Sequence, residues 1–282
     1  MVNDGATRVI AWWLALSLVS VANIAAWLAA ARELWRRRRA GDAETYRARR
    51  WQLWLSALFV LGCAFRSVLP RAEAQRICLV DWWIANAVIG RAVATVAELA
   101  LVAQFTLVLR ELAAQARSRL VLAISGILLP AIACAEVCSW YTALTTNFLG
   151  SIIEESTWAF TATLMTACFI ALWARYRDIE RRFIGTAIAL GVAYVAFMCT
   201  VDVPMYWTRW RSDQHAQLVN TPGSGYLSVR DGWADAQSRR VVTHRWDDWR
   251  QEIPWMSLYF TVGVWISIAL VQTPLARRAR PR

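Results

Sequence analysis

Seven long apolar stretches, separated by short charged segments, run along this chain of 282 residues. A stretch of roughly 20 apolar residues is long enough to cross the hydrocarbon core of a bilayer as a helix. The stretches fall at about 10–31, 51–65, 81–109, 120–140, 152–173, 183–203 and 254–272. They predict an all-α integral membrane protein, a seven-transmembrane-helix bundle. A soluble domain of this length would divide its 58% of hydrophobic residues among short periodic faces rather than unbroken runs. Seven helices of ~22 residues use about 154 residues. The remainder suffices for loops but not for a second large domain, so residues 1–282 read as a single membrane domain.

The net charge of +11 would suit a nucleic-acid binder, but its distribution argues against one. Residues 32–50, 110–119, 175–182 and 277–282 hold 19 of the 31 arginines. These are alternate gaps between apolar stretches, where the positive-inside rule expects cytoplasmic loops. The expected topology therefore has the N-terminus outside, the C-terminus cytoplasmic, and a multi-pass position in a cell inner membrane. The first stretch has no basic segment before it and Arg36–Arg39 after it, the reverse of a cleaved signal peptide, so it reads as an uncleaved helix. Membrane lipids are expected partners, with anionic headgroups facing the arginine runs.

All basic residues other than the two histidines are arginine; no lysine is present. A Schiff base to retinal or to pyridoxal phosphate is thereby excluded. The layout resembles rhodopsins and receptors in topology alone, which carries no function. His215 and His244 both lie outside the apolar stretches, which disfavours haem or zinc ligation within the membrane. No Gly-rich phosphate loop, nucleophile elbow or HExxH motif is present. No cofactor and no metal site are expected.

Residues 206–253 form the one sizeable segment outside the stretches, about 48 residues on the expected outer side. Seven arginines there nearly balance six acids. A turn-forming cluster spans 220–225, and 226–230 with 240–244 read as a short hairpin. Trp207, Trp210, Trp233, Trp246, Trp249 and Trp255 suit an interfacial aromatic belt, a lid over an outer cavity, or a protein-partner contact. Cys63 and Cys78 flank the expected outer turn between the second and third helices, where an oxidising environment permits a disulfide. Cys134 and Cys138, at i and i+4 on the fourth helix, read as packing residues.

Charges inside the membrane carry most of the functional signal, because each costs at least ~2.5–3.5 kcal/mol in hydrocarbon and so is buried and paired. The third helix holds Arg91, Thr95 and Glu98 on one face, Arg91 and Glu98 about 10 Å apart along the axis. That rise predicts that each pairs with another helix rather than with its neighbour. Gly90, Ala94 and Ala97 form an adjoining small-residue stripe that permits close helix approach. Glu136, Glu154, Glu155 and Asp202 are candidate acidic partners; Arg66, Arg71, Arg76 and Asp81 lie at the corner between the second and third helices.

The leading expectation is an outward-facing polar cavity in which Arg91, Glu98, Glu136, Glu154 and Asp202 bind a small polar or amphipathic ligand, as in a transporter or sensor. A non-catalytic subunit or scaffold is a second reading, with the charges serving packing and the Trp-rich segment contacting a partner. An intramembrane enzyme using Glu98 or Glu136 as acid or base on a lipid-linked substrate is a third.

Overall fold

The computed structural model of the chain describes residues 2–273, apart from 42, 220, 222 and 224. The described helices are α1 (Val2–Arg39), α2 (Ala43–Val68), α3 (Ala87–Gln115), α4 (Arg119–Thr145), α5 (Leu149–Trp173), α6 (Asp178–Phe197), α7 (Val203–Leu218), α8 (Val229–Ser238), α9 (Trp246–Trp249), α10 (Ile253–Leu258) and α11 (Val264–Val271). Seven spans are long and apolar enough to cross a membrane: Asp4–Arg39, Arg49–Val68, Ala87–Gln115, Arg119–Thr145, Leu149–Trp173, Asp178–Leu218 and Ile253–Val271. The chain is thus all-α with seven such helices, which fits a polytopic membrane protein. Their outward faces agree: Leu18, Val21, Leu120, Val137, Phe160, Ile170 and Val192 are all more than half exposed, a distribution that water would not tolerate over so large an area.

Consecutive helices from α1 to α6 pack against one another, and α11 closes onto α2, α1 and α3. The expected small-residue stripe on α3 is buried, and Ala97 meets Gly62 of α2 so closely that a Cβ at Gly62 would stand 2.8 Å from it. A second polar knot ties the far half of the bundle. Gln52 and Gln104 each donate to the other's backbone carbonyl at 3.0 and 3.1 Å, and Ser267 donates to Gln104 Oε1 at 2.6 Å. Such interhelical bonds supply association where lipid removes the hydrophobic driving force between helices.

Two spans are interrupted. α6 and α7 run on as one helix through a π turn at Met198–Asp202. Pro204 lacks an N–H and its ring crowds the carbonyl four residues back, so the helix widens just before it. α10 and α11 are joined by a second π turn, Tyr259–Gly263. Asn23 of α1 captures the Phe260 carbonyl within it at 2.9 Å, and Trp265 donates to Asn23 Oδ1 at 2.9 Å.

One end of the bundle carries a cap, which departs from the expected outer loop. Residues 206–218 continue the sixth helix as α7 instead of starting a loop. The expected hairpin does not form. Ser228 caps a helix there, accepting from Asp231 N at 3.1 Å, and α8 follows. Val241–Val242 (β3) instead pairs in parallel with β2 (Ile77–Cys78), which is antiparallel to β1 (Arg71–Ala72). Residues from the α2–α3 connection and from the 219–253 segment thus share one small sheet. The third helix starts at Ala87 rather than 81, because Asn86 caps it by accepting from Ile89 N at 2.9 Å. Gly232 lets α8 sit directly on the Leu144 carbonyl, a space no Cβ could share. Trp249 is not part of a belt: it is fully buried, packs on Trp12 at 6.0 Å and donates to Thr243 O at 2.9 Å. Cys63 and Cys78 are both buried free thiols; the disulfide that their placement permitted is not formed, Cys63 of α2 packing in the core while Cys78 lies in the sheet.

Candidate functional site

Arg91 is the centre of the buried charge. α3 turns it inward near the capped end, where it is 6% exposed. Its Nη2 donates to Glu98 Oε2 at 2.8 Å and to Glu136 Oε2 at 3.0 Å, and its Nη1 to Ser139 Oγ at 2.5 Å and Glu154 Oε1 at 3.5 Å. Thr95 also donates to Glu136 Oε2, at 2.6 Å, and accepts from Trp140 Nε1 at 3.1 Å. The expectation that Arg91 and Glu98 are too far apart to bond is therefore overturned. Two turns of helix separate their backbones, but both side chains are long and lie on one face, and their reach along it closes the gap. The expected interhelical partners are present as well, so one guanidinium serves three carboxylates from α3, α4 and α5.

Oxygens of Glu98, Glu136 and Glu154 lie within 4.8 Å of one another. Three oxygens so placed are close enough to share one hard cation, and Arg91 bonds to all three. With every group ionised the cluster carries two uncompensated negative charges. In a low-dielectric setting that excess calls for a counter-charge, whether a proton or a cation.

Arg91, Glu98 and Glu154 face a cavity of about 70 Å³, room for several water molecules. Charged side chains from elsewhere complete its wall: Arg66 of α2, Glu73 of the α2–α3 connection, Glu155 of α5, Arg209 of α7 and Glu252 before α10. Ser139, Ser151, Phe148, Tyr206 and Trp255 supply hydroxyls and rings. Gly150 brings α5 against the Cys138 carbonyl and the Thr142 hydroxyl of α4, where no Cβ would fit. Two of the five expected binding residues stand apart from the wall. Glu136 lies behind Arg91, its Oε1 buried without a hydrogen bond. Asp202, in the first π turn, is buried beside Glu155.

The corner between α2 and α3 proves richer than its arginines suggested. Arg66 Nη2 stands 2.8 Å from Glu73 Oε1. Burial works to raise the Glu73 carboxyl, but Arg66, Arg71 and Arg91 outweigh it and hold the group below the usual carboxylate range. Arg71 is 1% exposed and none of its side-chain nitrogens has an acceptor; burial presses its guanidinium down to about 10, with Glu73 opposing. Arg76 is satisfied and structural, donating to Asp235 at 2.7 Å and to the carbonyls of Glu73, Ala143 and Leu144. Asp81 pairs with Arg240 on the surface, away from the cavity. Arg209 donates to Gln251 and Glu252 at 2.8 Å, and Trp255 Nε1 to Glu252 Oε2 at 2.7 Å.

Sequence reasoning missed Glu73, Arg209 and Glu252 as wall residues because all three lie outside the apolar stretches, where charge is unremarkable. Glu73 alone left a trace, as the single acid between Arg66, Arg71 and Arg76.

No known protein family matches the chain, and no match is found among curated proteins or solved structures. Function therefore rests on the geometry.

Proposed function

We infer that this is a multi-pass inner-membrane protein that binds a small polar ligand in the cavity at its capped end, as a transporter or sensor. The observation that carries the reading is the convergence of Arg91 and Glu98 of α3 and Glu154 of α5 on one cavity wall. Intramembrane charges are expensive, and a network serving packing alone has no need of a void beside it. Placement of 19 of the 31 arginines in alternate gaps supports an orientation with the cap outside and the N-terminus on the same side. The cap then acts as the lid, through α7, the α2–α3 connection and the segment before α10. Exposed Trp207, Trp233 and Trp246 favour contact of this end with lipid headgroups.

Labelling tests both the cavity and its sidedness. Ser151→Cys places a thiol on the buried wall. A membrane-impermeant methanethiosulfonate reagent should modify it faster than the parent chain's own thiols when applied to spheroplasts, and not when applied to inverted vesicles. Absence of modification from either side would remove the cavity; modification from inverted vesicles alone would reverse the orientation.

A further inference from the structure

The cavity wall carries charges of both signs, and they are not equally satisfied. Arg209 spends donors on Gln251 and Glu252, and Arg91 spends both terminal nitrogens on Ser139 and three carboxylates, its Nε alone lacking an acceptor. Arg66 differs. It is 4% exposed and 2.8 Å from Glu73, yet the contact is poorly aligned: neither its Nη2 nor Glu73 Oε1 completes a hydrogen bond, and its Nε has no acceptor. The ring of Trp255 lies 5.8 Å from its carbon centre. A nearly buried guanidinium on a cavity wall, in contact with one carboxylate but without a completed hydrogen bond to it, suits a further carboxylate partner.

Across the same cavity the acids lack cations. Glu154 has only the longest of the Arg91 contacts, at 3.5 Å, on a guanidinium shared with Glu98 and Glu136. Glu155 has no ion pair among the described residues and adjoins Asp202, another acid. An ammonium offers three donors to such a wall. A ligand of one sign would satisfy one wall and leave the other short, and the cavity's size favours a small ligand.

We propose that the ligand is a small zwitterion of amino-acid type, its carboxylate on Arg66 and its ammonium on Glu154 and Glu155. This rests on the cavity being a ligand site and narrows what that site takes.

The test uses the full chain in detergent, with glycine, L-alanine, γ-aminobutyrate, methylamine and sodium acetate as probes at matched ionic strength. Thermal midpoint and Trp fluorescence are the readouts. At least one of the three zwitterions should give a saturable shift that methylamine and acetate, alone or mixed, do not. Glu155→Gln, which breaks no ion pair, should weaken that response at least tenfold. Arg66→Gln should do the same, with Arg66→Lys retaining part of it as a control on folding. A full response to methylamine or acetate alone would overturn the zwitterion while leaving a ligand site. An unchanged zwitterion response in both Glu155→Gln and Arg66→Gln would overturn the assignment of these residues, and with it the proposal. Silence of every probe would overturn both the proposal and the ligand-site reading.

Discussion

Replacing Arg91 by glutamine should be the most damaging single change in the bundle. The side chain has 2.8, 3.0 and 3.5 Å contacts to three carboxylates. With charge centres ~4 Å apart and an effective dielectric of about 20, each attraction is worth roughly 4 kcal/mol. The three acids, with oxygens within 4.8 Å of one another, repel by roughly 3 kcal/mol per pair on the same scale. Attraction therefore exceeds repulsion only narrowly, and Arg91→Gln leaves the repulsion uncompensated. Relaxation and water entry limit what is realised, and breaking a buried pair from one side typically costs about 3–5 kcal/mol. At roughly 2 °C per kcal/mol for a chain of this size, the thermal midpoint should fall by about 6–10 °C. Trp fluorescence during thermal unfolding in detergent reads the change. Glu98→Gln in the same chain removes one of the stranded charges and should recover about half the loss, a coupling that a double-mutant cycle isolates. A loss under ~1 kcal/mol, or simple additivity of the two substitutions, would refute a single guanidinium holding the three acids together.

Arg71 and Arg76 should behave oppositely despite similar burial. Arg71→Met, which removes a buried cation without acceptors, should leave stability unchanged within ~1 kcal/mol or raise it, whereas Arg76→Met should cost about 2–4 kcal/mol through its lost bonds to Asp235 and three carbonyls; paired unfolding curves compare them. Gly232→Ala should push α8 off the Leu144 carbonyl at a cost of ~1–3 kcal/mol, seen as faster proteolytic cleavage within 219–250. Glu73 is held below the ordinary carboxylate range in the folded state. Its contribution is therefore present above the unfolded value near 4.5 and lost as pH falls through the lower folded value. The unfolding midpoint should drop between about pH 5 and pH 3, and Glu73→Gln should flatten that drop; an equal slope in both proteins would remove Glu73 from the charge balance.

Seven helices long and apolar enough to cross a membrane, and the burial of Arg91, Glu98, Glu136, Glu154 and Asp202, were legible in the sequence, because both follow from one property of such surroundings. Hydrocarbon requires long apolar helices and tolerates charge only inside the bundle. The same rule could not say how the charges meet. Helix rise alone set Arg91 and Glu98 about 10 Å apart, but the length of the two side chains along one face of α3 brings them to 2.8 Å. Nor could local pattern foresee the cap. A run such as Tyr226–Arg230 reads as strand until Ser228 captures the Asp231 amide and Gly232 lets the new helix dock on α4. The cavity wall is the clearest division. Its residues from the long apolar stretches stood out because charge is rare there, while Glu73, Arg209 and Glu252 come from segments where charge is ordinary. Only the packing of the α2–α3 connection, α7 and the segment before α10 over one end of the bundle brings those three to the same void. Solvent preference, residue by residue, determined the helices; contacts between residues as far apart as Glu73 and Glu252 decided the site.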